Sequence, residues 1–173
     1  MIRYSTFGPY IDRHDIKTVS NAIQLKNWYN KPYYYCEKLE KEFASFHKRK
    51  FALLTPNCTS AIHLFLHSLN LKSTDEVIAP ECTWIASISP VYQTKAKLIL
   101  SDINRKNFCI SIDDLKKKIT KNTRVVISVN LYGNMANYKE LEKICKKNNI
   151  LLLEDAAESL GSTYYRKKSG SFG

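Results

Sequence analysis

Short apolar runs alternate along this chain with stretches whose apolar residues recur every three or four positions. Residues 12–25 place Ile16, Val19 and Ile23 at helical spacing. Residues 36–48 place Leu39, Phe43 and Phe46 on one face, so both stretches predict helices. Phe51-Ala52-Leu53-Leu54 is a continuous apolar run ended by Thr55-Pro56-Asn57, the pattern of a buried strand and a turn. "CTSAIHLFLHSL" then predicts a helix, "EVIAP" a strand, "CTWIASISPVYQT" the start of a helix and "AKLILSD" a strand. Ser111 is placed to cap a helix that carries Asp114 in its first turn. "TRVVISVN" predicts a strand, residues 137–147 a helix with Tyr138, Leu141 and Ile144 on one side, and "NILLLED" a strand. Residues 162–165 predict one more. Strands alternating with helices imply an α/β fold with a mainly parallel sheet covered on both faces. Ligands of such sheets bind beyond the carboxyl ends of the strands, so the polar residues there carry the functional question.

Composition narrows that question. The 173 residues allow one domain or part of a larger one. The formal charge of +11 raises nucleic acid or an anionic substrate as partners. Many lysines, however, flank apolar residues in helix-like stretches such as residues 115–119 and 144–147, as solvated helix faces do. Charge alone is therefore a thin basis for a nucleic-acid binder, and no recognition motif accompanies it. The five cysteines, Cys36, Cys58, Cys82, Cys109 and Cys145, form no C-x-x-C pair. That spacing suggests neither a zinc site nor a disulfide framework, and reduced thiols point to the cytoplasm. The N-terminal residues carry no apolar signal-peptide core, and no apolar run reaches the length of a membrane span.

Three strand ends hold the candidate chemistry. In "TPNCTSAIHLFL" a helix is expected to begin at Thr59 and Ser60. Its N-terminal N–H groups and dipole favour an anion, and the two hydroxyls add donors. Ordinary N-capping explains the same residues. Trp84, in "PECTWIAS", lies just past a strand, where its face can meet a flat ligand or simply pack into the core. Asp155 ends the run from Ile150 to Leu153. A partly desolvated carboxylate there requires a cation or strong donors. Glu154 faces the other side by strand alternation, so the two acids do not act as a pair. Asp155 also fits as a helix cap, with Glu158, three residues on, as the N3 partner of a capping box. An anion site, a flat aromatic and a buried carboxylate at neighbouring strand ends together describe a pocket for a phosphorylated aromatic cation. Pyridoxal 5′-phosphate (PLP) has that chemistry, its ring nitrogen kept protonated by a carboxylate.

The chain also resembles the N-terminal half of the DegT/DnrJ-type sugar-nucleotide aminotransferases. The segments that carry the resemblance are "FGPYIDRHDIKTVSNAIQLKNWYN", "EKLEKEFASFHKRKFALLTPNCTSAIHLFLHSL", "DEVIAPECTWIAS", "VVISVNLYGNMANY" and "LLLEDAAESLGSTYYRKKSGSFG". The last is most similar to the branch that makes 4-amino-4,6-dideoxy sugars, such as perosamine synthases. The resemblance implies the three-layer, mainly parallel fold of the PLP-dependent aspartate-aminotransferase type, residues 1–173 forming part of the large domain with no C-terminal small domain. It implies transfer of an amino group from glutamate to a keto-deoxy sugar nucleotide, in a dimer. By position it assigns Thr59 and Ser60 to the cofactor phosphate, Trp84 to the ring face, Asp155 to the ring nitrogen and Glu158 to the neighbourhood of the ring hydroxyl. Asp102 matches a strand-ending aspartate of unspecified role.

The chain departs from the family pattern in three places. Cys58 stands where glycine is usual. Residues 30–32, Asn-Lys-Pro, replace a glycine-containing stretch. The Schiff-base lysine is expected about a dozen residues beyond Gly-Ser-Phe-Gly, so no catalytic residue is assigned, and Lys167 and Lys168 belong to the loop before that motif. The expectation is a chain inactive alone, either part of such an aminotransferase or a non-catalytic partner of a full-length relative.

Overall fold

In the computed structural model, residues 10–24 and 33–173 are described. Four strands, β1 (Glu76–Pro80), β2 (Lys97–Ser101), β3 (Thr123–Val129) and β4 (Leu151–Asp155), form one sheet in the order β2-β1-β3-β4. Every pairing in it is parallel. All four carboxyl ends, Pro80, Ser101, Val129 and Asp155, therefore lie along one edge.

Side-chain alternation along the strands divides the core into two layers. Ile78 and Val126 face α4 (Ile112–Lys118) and α5 (Tyr138–Asn148), where they pack with Leu115, Tyr138 and Leu141. Val77, Ala79, Val125 and Ile127 face the other way, onto Ile62 and Leu66 of α3 (Cys58–Ser68) and onto Val91. The sheet is thus covered by helices on both faces, as the alternating pattern predicts. Local chemistry sets the helix limits. Ser111 accepts a hydrogen bond from the Asp114 N–H, and three lysines in the last turn of α4 complement the dipole. Asn137 caps α5, and Asn149 ends it in the left-handed conformation.

Several expectations fail for identifiable reasons. Residues 51–54 are not a buried strand. No strand among the described residues lies beside them, the Leu54 N–H donates to Glu40 Oε1 at 2.8 Å, and Phe51 is 78% exposed. Residues 82–94 form two short 3₁₀ turns, Ile85–Ser87 and Ser89–Gln93, rather than an α-helix. Pro90 lacks the N–H that an α-helix would direct to residue 86, and Ile88 at φ −115° breaks the turn. Leu151 is exposed, because β4 is the sheet's edge strand. The strand expected at residues 162–165 is the two-residue β5 (Thr163–Tyr164). It pairs antiparallel with β6 (Lys167–Lys168), so both lysines sit in a hairpin rather than in a plain loop.

Helices α1 (Arg13–Gln24) and α2 (Tyr34–Phe46) form where expected. Their apolar stripes, however, are open. Ile16 and Val19 of α1, and Leu39, Phe43 and Phe46 of α2, are all exposed. The expectation for residues 30–32 lies outside the described residues. No helix among the described residues is long and apolar enough to cross a membrane.

Candidate functional site

A cavity of about 190 Å³ opens at the carboxyl edge of the sheet, between the start of α3, the first 3₁₀ turn and the end of β4. Thr59, Trp84, Asp155 and Glu158 all line it. Four of the five residues singled out in the sequence therefore converge on one space. Ser60 does not line it.

Asn57, not Thr59 or Ser60, caps α3. Its extended backbone starts the helix at Cys58, and its side chain accepts from the Ser60 N–H at 2.8 Å. The N–H groups of Cys58 and Thr59 precede the first intrahelical donor and have no acceptor among the described residues. With the Thr59 hydroxyl, they form the positive end of α3 at the cavity wall.

Trp84 precedes the first 3₁₀ turn in an extended conformation and is 70% exposed. Its ring is therefore not a core residue. It lines the cavity with a face open to a ligand.

Asp155 is the pivot. It is 5% exposed, and three groups of the chain donate to it. The Ser87 hydroxyl reaches Oδ2 at 2.7 Å. The Cys58 thiol and the Ala157 N–H reach Oδ1 at 3.4 and 3.1 Å. Thr83 donates in turn to the Ser87 hydroxyl at 3.3 Å. A carboxylate offers about four acceptor directions, so one remains on Oδ2. No lysine, arginine or histidine lines the cavity among the described residues, whereas Asp155 and Glu158 both do. The electrostatic complement of this space is a cation.

The capping-box expectation is corrected. No helix follows Asp155, and Glu158 instead accepts from the Tyr132 N–H at 2.7 Å. That bond steadies a turn in which Tyr132 has φ 56°, a strained conformation for a residue with a side chain. Glu158 is held at the rim by this contact.

Burial, then the charge of Asp155, push the Cys58 thiol up to about 12, so it stays protonated and remains a donor. Sequence reasoning noted Cys58 only as a departure from a glycine pattern, and it missed Ser87 altogether. The one available signal for Ser87 was its place three residues beyond Trp84, past a strand end.

Glu154 does face away from Asp155, as strand alternation requires. Its Oε1 accepts from the Asn130 amide at 2.9 Å and the Gly170 N–H at 2.8 Å, and its Oε2 accepts from the Phe172 N–H at 2.8 Å. Lys167 and Lys168 line a separate cavity beside His47. Lys167 pairs with Glu142 at 3.2 Å, and Lys168 donates to the Phe46 carbonyl at 3.2 Å. Asp102 is exposed, and its Oδ1 accepts from the Ile103 N–H at 2.7 Å.

A model of the DegT/DnrJ/EryC1/StrS aminotransferase family matches residues 9–173. GDP-perosamine synthase of Vibrio cholerae is 33% identical over 167 residues, which cover 96% of this chain and 45% of that enzyme. The aminotransferase from Psychrobacter cryohalolentis superposes with a TM-score of 0.84 at 28% identity, over 94% of this chain and 41% of the other. A GDP-4-keto-6-deoxymannose-3-dehydratase with a trapped PLP-glutamate geminal diamine superposes with a TM-score of 0.74 at 32% identity, over 79% of this chain and 37% of the other. The chain thus spans less than half the length of these relatives.

Proposed function

Since the chain belongs to the DegT/DnrJ/EryC1/StrS aminotransferase family, we propose that its Asp155 cavity holds pyridoxal 5′-phosphate for amino transfer to a keto-deoxy sugar nucleotide. One observation carries the reading. A buried carboxylate keeps one acceptor direction free in a cavity lined by no cationic residue, beside an uncapped pair of helix N–H groups.

The residues present fit the group. Asp155 would accept a hydrogen bond from the ring nitrogen and so keep its proton in place. Trp84 supplies the ring face. The Cys58 and Thr59 N–H groups, with the Thr59 hydroxyl, receive the phosphate at the start of α3. Ser60 supplies no donor of its own there, since its N–H is bound to Asn57 and it does not line the cavity. Glu158, fixed by Tyr132, stands at the rim where a ring hydroxyl would need an acceptor. When bound, the cofactor supplies an electron-withdrawing ring that stabilises negative charge on the carbon bearing the amino group. The work of these residues is to bind, orient and hold one proton.

Glutamate is the proposed amino donor, and a homodimer in the cytoplasm the proposed state. We propose that residues 1–173 form part of the large domain of such an enzyme. The described residues around the cavity include no lysine, so they supply cofactor holding and no amine. That observation favours a second reading, a cofactor-holding partner of a full-length relative. Calorimetric titration with pyridoxamine 5′-phosphate tests the cofactor reading, because this probe lacks the aldehyde that condenses with surface lysines. Saturable one-site binding that Asp155→Asn weakens at least about tenfold is the expected result, the loss of a charge-assisted bond. Equal binding by both proteins would reject it.

A further inference from the structure

Two basic stretches, residues 47–50 and 166–168, lie far apart in the sequence. The fold brings them to one cavity of about 430 Å³, between the end of α2 and the β5–β6 hairpin. We propose that this cavity binds an oligophosphate anion, either free pyrophosphate or the diphosphate of a nucleotide. Among the described residues none lines both this cavity and that of Asp155, so the proposal stands apart from the cofactor reading.

Lys48, Arg49, Arg166, Lys167 and Lys168 line the cavity, with no aspartate or glutamate among the described residues. Three of these cations are engaged by the chain. Arg49 donates to the Ser171 and Gly173 carbonyls, at 2.7 Å each. Lys167 pairs with Glu142. Lys168 donates to the Phe46 carbonyl, where a cation complements the carboxyl end of α2, and lies over the Phe46 ring. Lys48 and Arg166 are left with no side-chain partner among the described residues. Residues 1–9 and 25–32 contain no aspartate or glutamate to pair with them. Both cations are also held at positive φ, 54° and 63°, which is costly for a residue with a side chain. Tyr165, at φ 48°, and Arg166 fill the two central positions of the hairpin turn, where Asn-Gly would relieve the strain. The turn thus sets a guanidinium and an 82% exposed ring at the cavity against backbone preference. The positive field reaches inward. His47 lines the cavity yet is buried, and its Nε2 has no hydrogen-bond partner among the described residues. Burial first, then Lys168 and Arg49, hold its imidazole below the ordinary value, against the pull of Glu154. A multiply charged anion offsets the repulsion among these cations. Phosphate oxygens match the fork of Arg166, a diphosphate is long enough to meet both stretches, and Tyr165 offers a ring face beside it.

Two measurements test the proposal on the 173-residue chain. Calorimetric titration with inorganic pyrophosphate is expected to show one saturable site. Lys48→Asn combined with Arg166→Asn should weaken it at least about tenfold, through lost charge-assisted hydrogen bonds. Asparagine tolerates the left-handed backbone of both positions, so this double variant keeps the turn. Lys121→Ala combined with Lys146→Ala removes the same charge from exposed positions elsewhere and should leave the affinity unchanged. Equal weakening by both pairs, or by neither, would overturn the site and leave only general attraction to a basic chain. The second readout is the His47 imidazole, followed by NMR against pH with and without saturating pyrophosphate. A nearby anion favours the imidazolium, so the midpoint should rise by about half a pH unit or more. An unmoved midpoint contradicts binding at this cavity. Repeating the titration with guanosine diphosphate separates the two sources. Binding tighter than pyrophosphate, with the advantage lost in Tyr165→Ala, assigns a nucleotide, and equal affinities assign the bare phosphate chain.

Discussion

Glu154 and Asp155 are neighbours on one edge strand, yet the chain treats them in opposite ways. On the α5 side, Glu154 accepts four hydrogen bonds from the chain itself. Asn130, Ser169, Gly170 and Phe172 all donate to it, so the carboxylate anchors residues 169–172 against the sheet. Phe172 then stacks on Tyr138 with ring centroids 4.2 Å apart, closing that side. On the α3 side, Asp155 is more buried but less committed, with one acceptor direction left over a cavity. The difference shows that burial of a carboxylate does not by itself mark function. Asp155 differs in lining an open cavity with no cationic residue among the described ones.

The contrast is broken most severely by removing the anchor. Glu154→Ala strands the Asn130 amide and two backbone N–H groups, at a cost of about 3 kcal/mol. Urea unfolding should read that loss, with faster exchange of the 170–172 amides. Asp155→Asn is expected to do the reverse: stability changes by about 1 kcal/mol, because the amide oxygen still accepts from Cys58 and Ala157 while the Ser87 hydroxyl turns to accept from the amide, and pyridoxamine phosphate binding falls about tenfold or more.

Thiols sharpen the comparison further. Cys109 and Cys145, in the α5-side core, are pushed up to about 11, in both cases chiefly by burial. Their protons stay on in the folded chain while the unfolded chain releases them near the ordinary thiol value of 9. The folded state then binds more protons, so stability falls as pH rises from about 9 to 11. The loss should reach about 1 kcal/mol for each of these thiols by pH 10, measurable as a falling urea midpoint. Asp155→Asn should lower the Cys58 value and leave these two unchanged. The smallest effect is expected at the open rim. Trp84→Ala should change stability by under about 0.5 kcal/mol, since the ring is exposed, yet weaken ring binding about threefold.

How much of this was legible in the sequence varied with the kind of constraint. The four sheet strands and five helices follow from local patterns, apolar periodicity in most and the Ser111 cap for α4, and the stripes of α1 and α2 form helices although they stay exposed. Residues 51–54 and 82–94 did not follow. The first needs a neighbouring strand that no local pattern encodes, and in the second Pro90 and the turn at Ile88 override an otherwise helical composition. At the cavity, Asp155 ends β4, Trp84 and Glu158 lie a few residues past strand ends and Thr59 lies at a helix start, positions that local patterns reveal. Ser87 and the thiol bond of Cys58 were not readable. Both arise where two 3₁₀ turns and a helix start meet β4, a juxtaposition set by tertiary packing. Glu154 shows the same limit, since alternation gave its side of the sheet but not the four donors that meet it there.

The proposed cavity puts Trp84, the start of α3 and Asp155 around one flat, cationic, phosphorylated ring. The chain has two tryptophans, so a Trp28→Phe background leaves Trp84 as the sole indole reporter. Titration of that protein with pyridoxamine 5′-phosphate should quench its fluorescence saturably, and adding Asp155→Asn should shift the midpoint at least about tenfold higher. Quenching that fails to saturate, or a midpoint indifferent to Asp155, would contradict the account.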